Sequence, residues 1–558
     1  MAAVSGRIKE KAGKFKALNF GTSGLRDTVE NLTDMEVYIN TRGFVLFLKE
    51  RGEAEGGSKI AVGGDLRPST PRIMAAVIKA IEDSGCKAVN CGAVPSPTLA
   101  NYALRNGIPS IMVTGSHIPA DRNGIKFTKK SGEVLKADEV DILRSVNAAR
   151  EREYSMTWEE AIFNGDGSFK RPEALPSDAE KQKAVEMYDK RYTDVFPADS
   201  LAGKKIVVYQ HSAVGRDILT RILKDLGAEV VAAGRTDEFT PVDTEKVSET
   251  TDKILQKAAR EHKPDAIVSL DGDSDRPLLA DEHGKFLPGD KLGALVSMFL
   301  RPDFAAVPVS ANPAVIKGLQ KADIEVKQTR IGSPYVIAAM NAKLAADPKA
   351  RVVSWESNGG FLLGSDWNVD GKILPALPTR DAVLPLVSAV LLSKKEGMKL
   401  SELIDEKLPP FYTAAGVIDN KDKGAEEYTA EMGRKIIEMF SPSSGVESVS
   451  FDGDKVKSAE GAALTPEAEK ELVGIKKHLE RYFSAEKGFG YIESVNFVDG
   501  IRMTFITPGG KEEISHIRPS GNAPEFRNYA AADTEERAQE IADMRYRIVP
   551  EMVRELKG

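Results

Sequence analysis

The sequence predicts an α/β protein, with three similar α/β domains followed by a C-terminal α+β domain. Two observations predict it. From residue 59 to residue 354, short apolar runs alternate with stretches whose apolar residues recur at helical spacing, and the rhythm restarts at Lys204 and again after Asp303. Beyond Pro410 that rhythm stops, and helix-like stretches are followed by strand-like runs around Gly500 and a turn at 508–510. A chain of 558 residues is too long for one core, so several domains are expected on size alone. The expected segments are 1–197, 198–302, 303–411 and 412–558.

In the first segment an amphipathic helix is expected over 35–49 and a short strand over 59–62. The stretch GGDLRPST (63–70) follows, in which Ser69 or Thr70 would cap a helix running through Met74, Val77 and Ile81. A strand over 86–94 leads to a helix opening at 95–98, and an apolar run ending at Val113 breaks into a turn-rich loop. Such alternation describes a parallel sheet with helices on both faces. Residues 135–197 are charged and helical in tendency, interrupted by Gly and Pro over 165–176. The second segment reads as strand 204–209, helix 215–226, strand 229–233, helix 252–262 and strand 266–270. The third reads as strand 306–310, helix 313–321, strand 324–328, helix 335–344 and strand 351–354. Blocks of like size and rhythm point to a repeated architecture. The last segment reads as helices over 426–440 and 466–482, strands within 490–514, and one charged amphipathic helix over 534–557.

Composition narrows the function. Hydrophobic content of 41% with 29% charged residues is that of a soluble globular protein. A net charge of −7 gives no electrostatic reason to expect nucleic acid or an anionic membrane as partner, so any basic site must be local. No apolar run approaches the roughly 20 residues that span a bilayer. The N-terminus, MAAVSGRIKEKAGKFKALNF, lacks the apolar core of a signal peptide, although it is basic enough to leave an organelle presequence open. Cys86 and Cys91 form neither a disulfide framework nor a metal pattern with any of the six histidines, which favours a reducing cytoplasm.

Several stretches carry chemistry. IMVTGSHIPADRNGIKF (111–127) is a strand delivering the Ser116 hydroxyl to a loop, with His117 beside it and Lys126 ten residues on; nucleophile and structural turn are both open from this stretch alone. FGTSGLRD (20–27) is a turn whose N–H groups and Arg26 suit a phosphate, and equally a plain surface turn. In DGDSDRP (271–277), Asp271, Asp273 and Asp275 alternate directly after an apolar strand. Carboxylates so crowded repel unless a cation neutralises them, and their hard oxygens suit Mg²⁺. A calcium EF-hand competes, with Glu282 at its twelfth position, but Arg276 stands where that loop needs glycine, Pro277 follows, and a strand precedes. A solvated acidic turn stays open. WESNGGFLLG (355–364) sets Glu356 and Asn358 before two glycines; carboxylate and amide suit vicinal sugar hydroxyls, and the loop also reads as simple structure. RPSGNAPEFRNY (518–529) places Arg518 and Arg527 around a turn with Ser520, Gly521 and Asn522, a set suited to phosphate oxygens or to a hairpin with surface arginines.

With these motifs in this order, the chain resembles the α-D-phosphohexomutase superfamily, the phosphomannomutases and phosphoglucomutases, over nearly its whole length. The resemblance implies three similar α/β domains with mixed sheets and a smaller C-terminal α+β domain around a central cleft. It implies that Ser116 is a phosphoserine that donates and recovers a phosphoryl group. Asp271, Asp273 and Asp275 would be the Mg²⁺ ligands, completed by that phosphoserine. Arg26, His117, Lys126 and Arg276 would surround the reacting phosphate, Glu356 and Asn358 would contact the sugar, and Arg518, Ser520, Gly521, Asn522 and Arg527 would hold the non-reacting phosphate. The implied reaction interconverts hexose 6-phosphate and hexose 1-phosphate, mannose phosphates foremost, through a hexose bisphosphate that also serves as activator. A phosphoglucomutase or dual-specificity mutase is the alternative, and a non-catalytic phosphosugar-binding homologue a further one. Sugar phosphates would be the partners, without nucleic acid or membrane, for a monomer or homodimer. Some positions depart from the family pattern: Asn358 replaces Ser, Gly360 stands where His is frequent, Asn522-Ala523-Pro524 replaces Thr-Glu-Pro, and Asp27 stands where Gly is common. The first two bear on sugar preference.

Overall fold

Alternation along the strands builds the first layer. Ile60, Val62, Ile111 and Val113 join one apolar cluster with Met35, Phe44, Phe47, Ile73, Val77, Ile142 and Val146. The intervening Ala61 and Met112 join another with Leu99, Tyr102 and Ala184. Side chains that alternate across a strand thus feed two helix layers, one on each face of the sheet. The computed structural model describes residues 2–21, 24–418, 429–453, 455–459, 461–520 and 525–557. The chain divides into two units, one of Met1–Ala306, Ala322–Lys327 and Gly332–Lys407, the other of Val307–Lys321, Gln328–Ile331 and Leu408–Gly558.

The first sheet is mixed where the alternation predicts a parallel one. Lys59–Gly64 runs parallel to both Lys87–Ala93 and Ser110–Val113, but Arg122–Lys129 returns antiparallel to Ser110–Val113 and pairs antiparallel with Gly24–Thr28. The reason lies in loop length: residues 114–121 are too few for a crossover, which takes a dozen or more. The second sheet has the same layout. Ala266–Leu270 is parallel to Lys205–His211 and antiparallel to Pro277–Ala280, with Glu229–Arg235 and Phe286–Leu287 at the two edges. So has the third, in which Val352–Trp355 is parallel to Phe304–Pro308 and antiparallel to Phe361–Leu363, flanked by Glu325–Thr329 and Leu377–Asp381. The repeat expected from rhythm is therefore a repeat of strand order and direction.

The last sheet is antiparallel throughout its paired strands, from Tyr412–Ile418 through Phe526–Ala532, Glu512–Pro519, Ile501–Ile506 and Tyr491–Asn496 to Ser448–Asp452 and Lys455–Ser458. Ala430–Phe440 and Pro466–Glu480 are helical, and the residues before 429 in the first of these expected helices lie outside the described residues. The expected single C-terminal helix is two, Glu535–Asp543 and Arg545–Lys557, and the break falls where the Arg545 guanidinium takes the Ala542 carbonyl at 3.0 Å.

One further expectation is corrected. Ser69 stands at the N-cap of Thr70–Asp83, but its hydroxyl accepts from Asn123 at 2.9 Å and the Thr70 hydroxyl donates to Asp65 at 2.7 Å, so neither caps the helix. The N-terminal segment forms a helix, Ala2–Lys14, whose buried Lys11 donates to the carbonyls of Glu153 and Met156. Cys86 and Cys91 are buried free thiols. Among the described residues no helix is long and apolar enough to cross a membrane.

Candidate active site

Each α/β repeat contributes one loop at the same place. Residues 114–121, 271–276 and 356–360 all leave the carboxyl end of a parallel strand and turn back antiparallel. Loops at that end of an α/β sheet are where ligands are met. They carry Ser116, the three aspartates, and Glu356 with Asn358.

The serine loop is held from below. Buried Arg67 donates to the carbonyls of Ser116 (2.7 Å), Ile118 (2.6 Å), Pro119 (2.6 Å) and Arg122 (3.1 Å), and its Nε donates to Asp65 (3.1 Å). Its Cζ lies over the Phe239 ring, 4.0 Å from the ring centre. Asp65 also accepts from Thr114, whose hydroxyl oxygen in turn accepts from the Ser116 N–H at 2.7 Å. Ser116 itself has φ 57°, a left-handed conformation that costs a residue with a Cβ of order 1 kcal/mol or more and persists only where surroundings impose it. Its side chain is wholly buried, and its hydroxyl donates to Asp271 Oδ2 at 2.6 Å.

The acidic loop is no solvated turn, since Asp271, Asp273 and Asp275 are 0%, 0% and 2% exposed. Nor is it an EF-hand: Glu282 points elsewhere and accepts from the Ser401 hydroxyl at 2.6 Å. Lys126 Nζ sits between Asp273 Oδ2 (2.6 Å) and Asp275 Oδ2 (2.7 Å), Ser96 donates to Asp273 (2.6 Å), and Arg380 Nε donates to Asp275 (3.0 Å). These partners split the three carboxyls. Burial and the charges of Asp273 and Asp275 push the Asp271 carboxyl well above the usual carboxylate range. For Asp275, the Arg380, Lys126 and Arg276 charges outweigh burial and hold it below that range. Burial comes first among the influences on Asp273 too, yet Lys126 and Ser96 hold it below the range. Gly272 lets the two loops meet: a Cβ there would lie 2.6 Å from the Ser116 carbonyl oxygen.

These residues fit a divalent cation. One oxygen from each aspartate can be chosen so that all lie within 4.8 Å of one another. Asp273 Oδ1 and Asp275 Oδ1 are buried acceptors without a hydrogen-bond partner, a costly arrangement in a protein interior that a hard cation would satisfy.

Basic groups close the surround. Arg276 Nη1 donates to His117 Nδ1 at 2.9 Å, and because guanidinium only donates, the His117 proton is assigned to Nε2. Burial and the Arg276 charge push the imidazole down to about 4, so it is neutral at pH 7. The Arg26 side chain makes no hydrogen bond or ion pair with any described residue, while the charges of Arg276, Asp273 and Arg380 act on it. Glu356 accepts from Arg380 Nη1 at 3.0 Å. Asn358 turns its Oδ1 to the Gly360 N–H (3.0 Å) and its carbonyl to the Thr244 hydroxyl (2.8 Å).

The C-terminal unit holds the remaining expected residues. Arg518 and Arg527 stand directly opposite each other on neighbouring strands. Arg518 pairs with Asp499 (3.2 Å) and Arg527 with Glu525 (3.1 Å), yet the Nε of each is buried without a partner. The Ser520 N–H donates to the Glu525 carbonyl at 2.8 Å. Gly521 and Asn522 lie outside the described residues, as do Thr22 and Ser23 of the first turn.

Comparison with known proteins decides the family. Models of the three phosphoglucomutase/phosphomannomutase alpha/beta/alpha domains match in order: domain I over residues 17–153, domain II over 185–284, domain III over 288–411. The chain belongs to the phosphoglucomutase/phosphomannomutase family. It is thereby a member of the α-D-phosphohexomutase superfamily and an intramolecular phosphotransferase of hexose phosphates. A phosphomannomutase of Sinorhizobium fredii is 38% identical over 523 residues, spanning 94% of this chain and 96% of its own. One of Salmonella muenchen is 37% identical over 527 residues, 94% of each chain. A phosphoglucomutase/phosphomannomutase family protein of Burkholderia thailandensis has the same fold, with a TM-score of 0.65 at 17% identity over 96% of this chain and 97% of its own.

In this phosphohexomutase the structure brings together Ser116, His117, Lys126, Asp271, Asp273, Asp275, Arg276 and Glu356, from segments far apart in the chain. It also brings in residues that sequence reasoning missed. Asp65 and Arg67 were legible only as part of a helix start, and Ser96 as part of another. Arg380 and Asp381 did leave a signal: a charged pair set in the otherwise apolar run LPTRDAVLPLV, and charges inside such a run are buried and paired or they are costly.

Proposed function

We propose that this protein interconverts hexose 1-phosphate and hexose 6-phosphate through a phosphoserine at Ser116, with mannose phosphates its preferred substrates. The observation that supports this most is the 2.6 Å hydrogen bond from Ser116 Oγ to Asp271, which joins a strained serine loop to a buried aspartate triple that Lys126 bridges. The mannose preference draws on the two relatives named phosphomannomutase.

Asp271, Asp273 and Asp275, with the Ser116 phosphoryl group, would hold Mg²⁺, whose charge neutralises that group as it transfers. The rest is done by the chain. Phosphoryl transfer needs an in-line hydroxyl and preorganised positive charge more than covalent chemistry, and Arg26, Lys126 and Arg276 supply the charge. In the first half the bond from phosphorus to Ser116 Oγ breaks as one to a sugar hydroxyl oxygen forms. The proton that the sugar hydroxyl gives up ends on Ser116 Oγ, where Asp271 Oδ2 accepts its hydrogen bond. His117, neutral with its proton on Nε2, offers a donor beside the transferring group. The bisphosphate then turns over and returns its other phosphoryl group to Ser116. Glu356 and Asn358 read sugar hydroxyls, and Arg518, Ser520, Gly521, Asn522 and Arg527 take the non-reacting phosphate.

A coupled assay primed with hexose bisphosphate and Mg²⁺ tests the reading. Mannose 1-phosphate should be converted to mannose 6-phosphate with a higher kcat/KM than the glucose pair. Equal or reversed preference would remove the mannose assignment, and absence of both conversions would remove the mutase reading.

A further inference from the structure

We infer that Arg380 is a positioning residue of the sugar loop, the third repeat's counterpart of Arg26, and that Gly360 is glycine to make room for it. The inference rests on the mutase reading above.

The two arginines stand on corresponding strands of two repeats, though in different register: Arg26 is directly opposite Gly124, whereas Arg380 lies in an irregular stretch next to the Asp381–Phe361 pair. Gly24–Thr28, which carries Arg26, lies beyond the returning strand Arg122–Lys129 and antiparallel to it. Leu377–Asp381, which carries Arg380, lies beyond the returning strand Phe361–Leu363 and antiparallel to it. In each case the arginine stem crosses a glycine. A Cβ on Gly124 would lie 2.9 Å from Arg26 Cγ, and a Cβ on Gly360 would lie 2.6 Å from Arg380 Cδ and 2.7 Å from its Cγ. The chain reaches these strands differently, one before its repeat and one after it, so similar local needs have been met twice.

Their partners set their tasks apart. The Arg26 side chain has no hydrogen-bonded partner among the described residues, as suits a group kept for a ligand. Arg380 is committed on two sides, with Nε on Asp275 Oδ2 (3.0 Å) and Nη1 on Glu356 Oε2 (3.0 Å), while Nη2 has no hydrogen bond to a described residue. A guanidinium is a rigid planar fork, so these bonds fix Glu356 in distance and direction relative to the aspartate loop. A lysine could neutralise both carboxylates without imposing that geometry. The strand is itself clamped: Thr379 donates to Glu133, and Asp381 accepts from Tyr188 and Tyr192. Three successive side chains thus tie the third sheet to the first segment, to the aspartate loop and to the helix Lys181–Thr193. Arg380 acts through Glu356, by aligning the sugar hydroxyls that Glu356 reads with the phosphoryl centre.

The test uses the full chain with Arg380→Gln, Arg380→Lys and Gly360→Ala, measured for steady-state kinetics on mannose 1-phosphate and for Ser116 phosphorylation by intact mass. Arg380→Gln should raise KM by roughly tenfold or more, with a smaller fall in kcat and with Ser116 still phosphorylated by hexose bisphosphate. Gly360→Ala removes no polar group but displaces the arginine, and should reproduce the KM rise. Arg380→Lys should recover part of it and no more. Unchanged KM in Arg380→Gln, or in Gly360→Ala should the first variant not fold, would overturn the role, as would full recovery by lysine. A wild-type protein without turnover would overturn the mutase reading, and this inference with it; an active wild type beside indifferent variants overturns this inference alone.

Discussion

The aspartate loop and the Arg518–Arg527 pair both crowd like charges, and they resolve the crowding in opposite ways. In the loop, Lys126, Arg380, Arg276 and the Ser116 hydroxyl surround wholly buried carboxylates and fix them by hydrogen bonds and charge. In the arginine pair, two cations face each other across strands, one acid each lies at the side, and the Arg527 side chain is 39% exposed. Like charges directly opposite destabilise a sheet, so this arrangement gives up stability to keep donors available. The carboxylates are set among cations of the chain itself, whereas each arginine of the pair keeps a buried Nε without a hydrogen-bond partner.

Substitutions sharpen that contrast. The largest effect falls on Ser116→Ala, which should abolish mutase turnover while the fold survives. Ser116 is buried, so this variant should also lose about 1 kcal/mol in urea unfolding, the net worth of its hydrogen bond to Asp271. Next come two changes within the aspartate triple that differ in sign. Asp275→Asn leaves Lys126 and Arg380 without their shared carboxylate and should cost about 3–5 kcal/mol, the usual result of breaking a buried ion pair from one side. Asp271→Asn removes the charge that its neighbours disfavour and should leave stability equal or higher. Calorimetric titration with Mg²⁺ should show weakened binding in both. Equal stability losses would contradict the division of roles within the triple.

The smallest effect is expected in the arginine pair. Arg527→Ala should weaken sugar-phosphate binding by about 1.5–3 kcal/mol, the range for hydrogen bonds to a charged group, and read out as a raised KM with Ser116 phosphorylation intact. Relief of the opposed charges should raise unfolding stability by a few tenths of a kcal/mol. An unchanged KM would remove the phosphate role, and a stability loss would remove the account of the pair as held in opposition.

Much of the chemistry was legible because it is local. Ser116 between Gly and His, and three aspartates at alternate positions after a strand, announce themselves within a few residues. What was hidden depends on contacts across the chain. Asp65 and Arg67 looked like the approach to a helix, and only the fold shows Arg67 collecting four carbonyls of the serine loop. Arg380 gains meaning from the Cβ that Gly360 lacks, a relation between positions that spacing does not express. Strand direction was not legible in the apolar alternation, since a returning antiparallel strand shows the same pattern as a parallel one; the mixed sheets came with the family resemblance. At the C-terminus the amphipathic pattern runs unbroken through 534–557, and the break between the two helices at Met544 leaves that pattern unchanged.

The central claim is that Ser116 carries the phosphoryl group between two positions of one sugar. Its most direct measurement is a single-turnover experiment: protein phosphorylated with hexose bisphosphate and freed of excess ligand is mixed with mannose 6-phosphate and Mg²⁺, and both protein mass and sugar products are followed. Loss of one phosphate from Ser116 with equal appearance of mannose bisphosphate is the predicted result. Loss of that phosphate to water, with no bisphosphate formed, would contradict it.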